Sequence, residues 1–127
     1  MAKDLLVGLD VEVGARILRA LDDAGLKVRV ALWAILPEYE DWRLVLSSRK
    51  FDAVDLRDAY GLFHEALDAG GVSYRDTPTT VIMRANDPFI KNLRKTYAKS
   101  KQTDGLRLGP ESIGNRFITD AYTYRIL

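Results

Sequence analysis

From Val11 to Ala24 the apolar residues recur every three to four positions. Val13, Ile17, Leu21 and Ala24 share one side; Glu12, Arg16, Arg19 and Asp23 share the other. This period predicts an amphipathic helix packed on a core, with Glu12–Arg16 and Arg19–Asp23 at i,i+4 spacing on its solvated back. Asp10 is placed to cap it, and Gly25 suits the left-handed residue that closes a helix. Residues 4–9 read as an extra turn or a short strand. The period then changes from 3.6 to 2. Over residues 27–36, Val28, Val30, Leu32, Ala34 and Leu36 fall on one face, and Arg29, Ala31, Trp33 and Ile35 on the other. Both faces are apolar beyond Arg29, which predicts a central strand covered on both sides. Pro37 stops it, the polar residues 37–41 turn the chain, and Trp42 to Ser47 returns as the second strand of an antiparallel hairpin.

The helical period resumes from Leu56 to Ala69, with Asp55 as cap, Gly70-Gly71 as stop, and Leu56, Ala59, Tyr60, Phe63, Ala66 and Leu67 as the apolar face. Residues 79–84 read as a buried strand. Asp87-Pro88 starts a third helix over 88–99, with the acid as cap and proline at the first helical position. Phe89, Ile90, Leu93 and Tyr97 face inward; Lys91, Arg94, Lys95 and Lys99 face outward. Residues 105–108 read as a short strand, Gly109-Pro110 and Gly114-Asn115 as turns, and Phe117 to Ile126 as one long β-branched and aromatic strand. The order α-β-β-α-β-α-(β)-β predicts an α+β fold: a mixed, largely antiparallel sheet with about three packed helices in a single domain over 1–127. Leu32, Trp33, Leu44, Phe63, Val81 and Leu93 are the expected core.

Composition narrows the chemistry. There is no cysteine in the 127 residues, which excludes disulfides, thiolate metal sites and cysteine nucleophiles and leans toward the cytoplasm. The longest apolar run, Val30 to Leu36, is far short of the ~20 residues a membrane helix needs, so no membrane partner is expected. The first residues lack the apolar stretch and cleavage site of a signal peptide.

Charge adds a further element. Residues 1–76 hold ten Lys/Arg against fourteen Asp/Glu, a net of −4, and residues 77–127 hold nine against four, a net of +5. In the basic half, Arg84, Lys91, Arg94, Lys95, Lys99, Lys101 and Arg107 lie close together in sequence. They form the candidate anion- or partner-binding set. The same face also reads as a solvated helix side whose last-turn cations favour the helix dipole.

Other chemistry is weakly signalled. His64, the only histidine, sits at the boundary of the second helix, without a nucleophile-elbow serine to serve. Asp52, Asp55, Glu38, Glu40, Asp41, Asp76, Glu111 and Asp120 are the acids available to a metal, but Asp52-x-x-Asp55 is explained by turn and cap chemistry and 38–41 by a polar loop. Asp120 falls by alternation with Ile118, Tyr122, Tyr124 and Ile126, so burial would demand a cation such as Arg29 or Arg84. The glycines form neither a P-loop nor a dinucleotide fingerprint, and no cofactor is implied. The final strand, if at an edge, offers pairing with a second copy.

Taken together, these features favour a non-enzymatic module that binds an acidic protein surface or itself. The alternative is nucleic-acid binding through the basic face of the helix at 88–99. A second alternative is a small metal-dependent hydrolase or nuclease.

Overall fold

The computed structural model describes residues 8–38, 41–73, 75, 77–100 and 104–127. Among these residues it has four helices, a mixed five-stranded sheet and a two-stranded hairpin, the α+β class expected. The elements are α1 (Gly8–Asp23), β1 (Val28–Ile35), β2 (Trp42–Ser48), α2 (Arg49–Asp52), α3 (Leu56–Ala69), β3 (Thr80–Ile82), α4 (Pro88–Tyr97), β4 (Arg107–Leu108), β5 (Glu111–Ile113), β6 (Arg116–Ile118) and β7 (Ala121–Ile126). The sheet order is β3-β2-β1-β7-β4, with β2–β3 parallel and the other pairs antiparallel. No helix among the described residues is long and apolar enough to cross a membrane.

The doubly apolar β1 takes the centre, as its pattern demands. One face of the sheet packs under α1, α2 and α3 through Ile17, Leu21, Trp33, Leu46, Phe51 and Phe63. The other packs under α4 and the β5–β6 hairpin through Leu32, Val45, Phe89, Leu93, Ile113 and Ile118. Leu32, Trp33, Leu44, Phe63 and Leu93 are buried as expected. Val81 is only half-buried, because β3 is the sheet's edge and has a neighbour on one side alone.

Two β-bulges break the alternation read from sequence. Val28 pairs with Ser48 but Val30 with Ser47, so Arg29 is the extra residue and Val28 joins the Ala31–Trp33 side. In β7, Arg125 pairs with Ala31 but Thr123 with Leu32, which makes Tyr124 the extra residue. Tyr122 and Tyr124 then share the α1 side, while Ile126 turns to the opposite core. A bulge inserts one unpaired residue and shifts every side chain beyond it by one face, which simple alternation cannot show.

The expected long strand over 117–126 is two strands. It breaks at Thr119–Asp120, β6 pairs with β5 and not with the main sheet, and Phe117 on that hairpin is exposed. β7 lies between β1 and β4, and β4 pairs with its first residues, so β7 is not the sheet's edge strand there. At the opposite edge, the outward N–H of Ile82 donates to the Tyr60 hydroxyl (3.0 Å). α1 starts at Gly8, earlier than expected, so Asp10 sits in its first turn and not at the cap. The expectation for residues 4–9 lies outside the described residues for positions 4–7.

Helix α1 is held to the sheet by a polar contact inside an apolar interface. Trp33 Nε1 donates to the Tyr124 hydroxyl (2.8 Å), which donates to the Val11 carbonyl (2.7 Å). Burial is the largest effect on this phenol and pushes its pKa up to about 12, with the Trp33 hydrogen bond opposing. Gly14 makes the approach feasible: a Cβ there would lie 2.8 Å from Tyr124 Cζ and 2.9 Å from Trp33 Nε1. Gly14→Ala should therefore cost about 1–3 kcal/mol by overpacking, read as a lower urea midpoint at constant slope. Tyr124→Phe removes the hydroxyl, so the double variant should lose at least ~0.5 kcal/mol less than the two single losses combined. Strict additivity would contradict this packing.

Candidate functional site

The sequence-predicted cations have different partners. Arg84 Nη1 donates to the Phe51 carbonyl (3.0 Å), and the neighbouring Ala85 N–H donates to Asp52 (3.2 and 3.3 Å to its two oxygens), so this pair ties α2 to the strand exit. Arg107 Nη2 donates to Asp120 at 2.6 Å and its guanidinium lies 5.8 Å from the centre of the Trp42 ring. Asp120 is only half-buried, and its cation is Arg107, not the Arg29 or Arg84 that full burial would have called on. Lys99 lies past the end of α4, exposed in the following turn. Lys101 lies outside the described residues. Lys91 and Lys95 are exposed on α4 as expected, and Arg94 is half-buried, its Nε donating to the Leu127 main-chain oxygen (2.6 Å).

Arg94 thereby reaches a second set of cations that sequence proximity did not reveal. The Leu127 N–H donates to the Arg29 carbonyl (2.8 Å), so one residue bridges α4 to the start of β1. β1 begins, and β2 and β7 end, at this same end of the sheet. An open concavity of about 660 Å³ lies there, lined by Lys27, Val28, Arg29, Arg49, Lys50, Ala53, Arg125 and Leu127. Five of these eight are cationic and none is acidic. They come from the α1–β1 turn, the β1 bulge, α2 and the end of β7.

Each cation is positioned by local chemistry. The chain leaves α1 through Gly25 at φ +76°, with the Leu26 N–H returning to the Leu21 carbonyl (3.1 Å). Lys27 follows at φ +51°, the left-handed region that a side chain rarely occupies. The bulge at Arg29 takes it out of the β1–β2 ladder and re-aims it. Ser48 sets α2: its buried hydroxyl donates to the Leu26 carbonyl (2.5 Å) and accepts from Lys50 N–H (3.0 Å) and Phe51 N–H (3.4 Å). Phe51, 1% exposed, anchors the turn in the core, leaving Arg49 and Lys50 exposed. Arg125 is gripped by both Asp22 oxygens (2.9 and 2.8 Å) and by the Val28 carbonyl (3.0 Å).

The electrostatics divide these residues. Arg125 has its pKa raised, chiefly by the hydrogen bond to Asp22. Arg29 has its pKa lowered, first by loss of solvent and then by the like charges of Arg49 and Arg94. Of the concavity's cations, Arg125 is paired with Asp22, while the other described ion pairs involve Arg43, Arg107 and Arg116 and none involves Lys27, Arg29, Arg49 or Lys50. Glu38 and Asp87 pair with Arg116 of the β5–β6 hairpin, and neither forms a described ion pair with Lys91, Arg94 or Lys95 of α4.

The remaining candidates are held in structural roles. Asp55 caps α3 through the Asp58 N–H (2.8 Å), Asp87 caps α4 through the Phe89 N–H (2.9 Å), and Asp41 pairs with Arg43 (3.1 Å). Among the described residues no three His, Asp or Glu are grouped as a metal ion requires; Glu40 and Asp76 lie outside them. His64 is exposed on α3, edge-on to the Phe63 ring at 5.3 Å. It lines a separate groove of about 540 Å³ with Tyr60, Phe63, Arg75, Pro78 and the threonines at 77, 79 and 80. No protein-family model, curated protein or solved structure matches this chain.

Ser48→Ala is the sharpest structural test of the concavity. It removes the α2 cap and leaves the Leu26 carbonyl without its donor, so unfolding free energy should fall by about 2–3 kcal/mol. A loss below ~0.5 kcal/mol in urea titrations would mean that packing of Phe51 alone positions Arg49 and Lys50.

Proposed function

We propose that this chain is a non-enzymatic module that binds the phosphate backbone of nucleic acids at the end of its sheet. The observation that carries this reading is the five-cation concavity, to which Arg94 is joined through Leu127. A polyanion bound there meets several cations and releases its own counterions. Lys91 and Lys95 on α4 extend the positive surface beyond the concavity. The left-handed backbone at Lys27 supports the same reading. Holding a lysine there costs about 1 kcal/mol that a glycine would avoid, and such strain gathers where a side chain has a task. The cytoplasmic location expected from the cysteine-free sequence belongs to this proposal.

Self-association is the second reading. Two acids of the acidic half, Asp22 and Glu38, pair within the chain with Arg125 and Arg116, and β7 lies between β1 and β4. An acidic protein surface is the other occupant that such a concavity admits, and the test separates the two.

Fluorescence anisotropy of labelled DNA and RNA oligomers, titrated at several salt concentrations, tests the proposal. Contact with about four to six phosphates gives a log–log slope of affinity against salt of roughly −3 to −5, so a fourfold rise in salt should weaken binding by at least ~50-fold. Arg29→Glu with Arg49→Glu should abolish binding. Arg16→Glu with Arg19→Glu, on the exposed back of α1, should change it less than about threefold. Lys27→Gly should weaken binding while raising stability by up to about 1 kcal/mol. Binding to neither nucleic acid at low salt would overturn the proposal and direct attention to acidic protein partners.

A further inference from the structure

Resting on that reading, we infer that Arg125 supplies the oriented contact of this surface. One edge of its guanidinium, held in place by Asp22, offers two parallel N–H donors to two adjacent acceptor atoms of the nucleic acid. An arginine carries five N–H donors in a fixed planar fork. Arg125 spends three of them within the chain. Both Nη1 hydrogens are engaged, one by Asp22 Oδ1 (2.9 Å) and one by the Val28 carbonyl (3.0 Å), and one Nη2 hydrogen goes to Asp22 Oδ2 (2.8 Å). That leaves the Nε–H and the second Nη2–H. Nη2 lies trans to Cδ across the Nε–Cζ bond, so these two donors share one edge of the guanidinium and point the same way. No described hydrogen bond uses either, and Arg125 lines the concavity. Such an edge matches two oxygens of a phosphate, or O6 and N7 of a guanine.

The fold grips this guanidinium from two elements. Arg125 stands opposite Ala31, which packs on the α1 side of the sheet, and the bulge at Tyr124 brings it to that side. There it meets Asp22, in the last turn of α1, and the Val28 carbonyl, beside the bulge of β1. Asp22 does not line the concavity, so its carboxylate acts through Arg125 and is a positioning residue. Among the cations of the lining, Arg125 alone makes described side-chain hydrogen bonds. Its direction is set before a ligand arrives, and a side chain already held loses less freedom on binding. Lys27, Arg29, Arg49 and Lys50 supply charge around it.

Charge and orientation make opposite predictions at Asp22. If charge alone governs binding, removing this carboxylate makes the surface more positive and tightens the complex. If Asp22 holds the fork, removing its charge weakens the complex.

Anisotropy titrations of two labelled duplexes, one lacking guanine and one containing it, test the inference on the wild type and three variants. Arg125→Lys keeps the charge and removes the fork. Its affinity for the guanine-containing duplex should fall at least ~10-fold, while the log–log slope against salt changes by less than about one. Asp22→Asn should weaken binding at least ~3-fold although it removes a negative charge. Asp120→Asn removes the same charge from the Arg107 pair, outside the concavity, and should not weaken binding. The Asp22 and Arg125 side chains are 37% and 29% exposed, and both of their variants should keep the wild-type circular dichroism. The two duplexes identify the acceptors: an Arg125→Lys loss shared by both means phosphate oxygens, and one confined to the guanine-containing duplex means the guanine edge. Arg125→Lys binding that duplex within about threefold of wild type, or Asp22→Asn binding more tightly than wild type, would overturn the inference and leave nucleic-acid binding standing on charge alone. Failure of the wild type to bind any nucleic acid would overturn both.

Discussion

The structure depends on a strand that has no solvent side. Between Arg29 and Leu36, β1 carries only apolar side chains, and both faces must be covered. That constraint places β2 and β7 on its flanks, α1–α3 on one face, and α4 with the β5–β6 hairpin on the other. It also dictates where polar chemistry can go. With both faces sealed by apolar packing, charged side chains that serve the sheet are driven to its ends. The cation-lined concavity is one such end, where β1 begins and β2 and β7 finish.

The departures from regularity lie where they set this end. A bulge frees Arg29 from the ladder, and a left-handed residue turns the chain at Lys27. The Ser48 hydroxyl closes both ends of the corner by joining the Leu26 carbonyl to the first turn of α2. The second bulge, at Tyr124, lets a phenol reach Trp33 and Val11 while Arg125 turns toward Asp22. Each device departs from ideal pairing or backbone conformation locally, and together they aim side chains that a regular sheet would have alternated away.

Much of the fold was legible because its signals are local. Asp55 and Asp87-Pro88 cap the helices they were expected to cap, and the two-sided hydrophobicity of residues 30–36 correctly placed that strand at the centre. The break of the last strand at Asp120 was hidden because Phe117 to Ile126 is uniformly β-prone. The deciding contacts, β6 with β5 and Asp120 with Arg107, are made only in the folded chain. The site was less legible than the fold. Charge density along the sequence singled out residues 84–107, yet Arg84 and Arg107 are committed to Phe51 and Asp120, and Arg94 alone is tied by a hydrogen bond to the concavity's lining. Its partners Lys27, Arg29, Arg49 and Lys50 come from the half with net negative charge, and no one-dimensional count brings them together.

The central claim is that the cations around Arg29 form one phosphate-binding surface. Mapping it by ¹H–¹⁵N NMR, with backbone amides and arginine Nε–Hε groups followed during titration with a short DNA duplex, addresses this most directly. The account predicts that shifts concentrate at Lys27, Arg29, Arg49, Lys50 and Arg94, with Lys91 and Lys95 following, while Arg107, Arg116 and the His64 groove stay unmoved. Shifts centred on Arg107 or on the groove beside His64, with the Arg29 cluster silent, would contradict it.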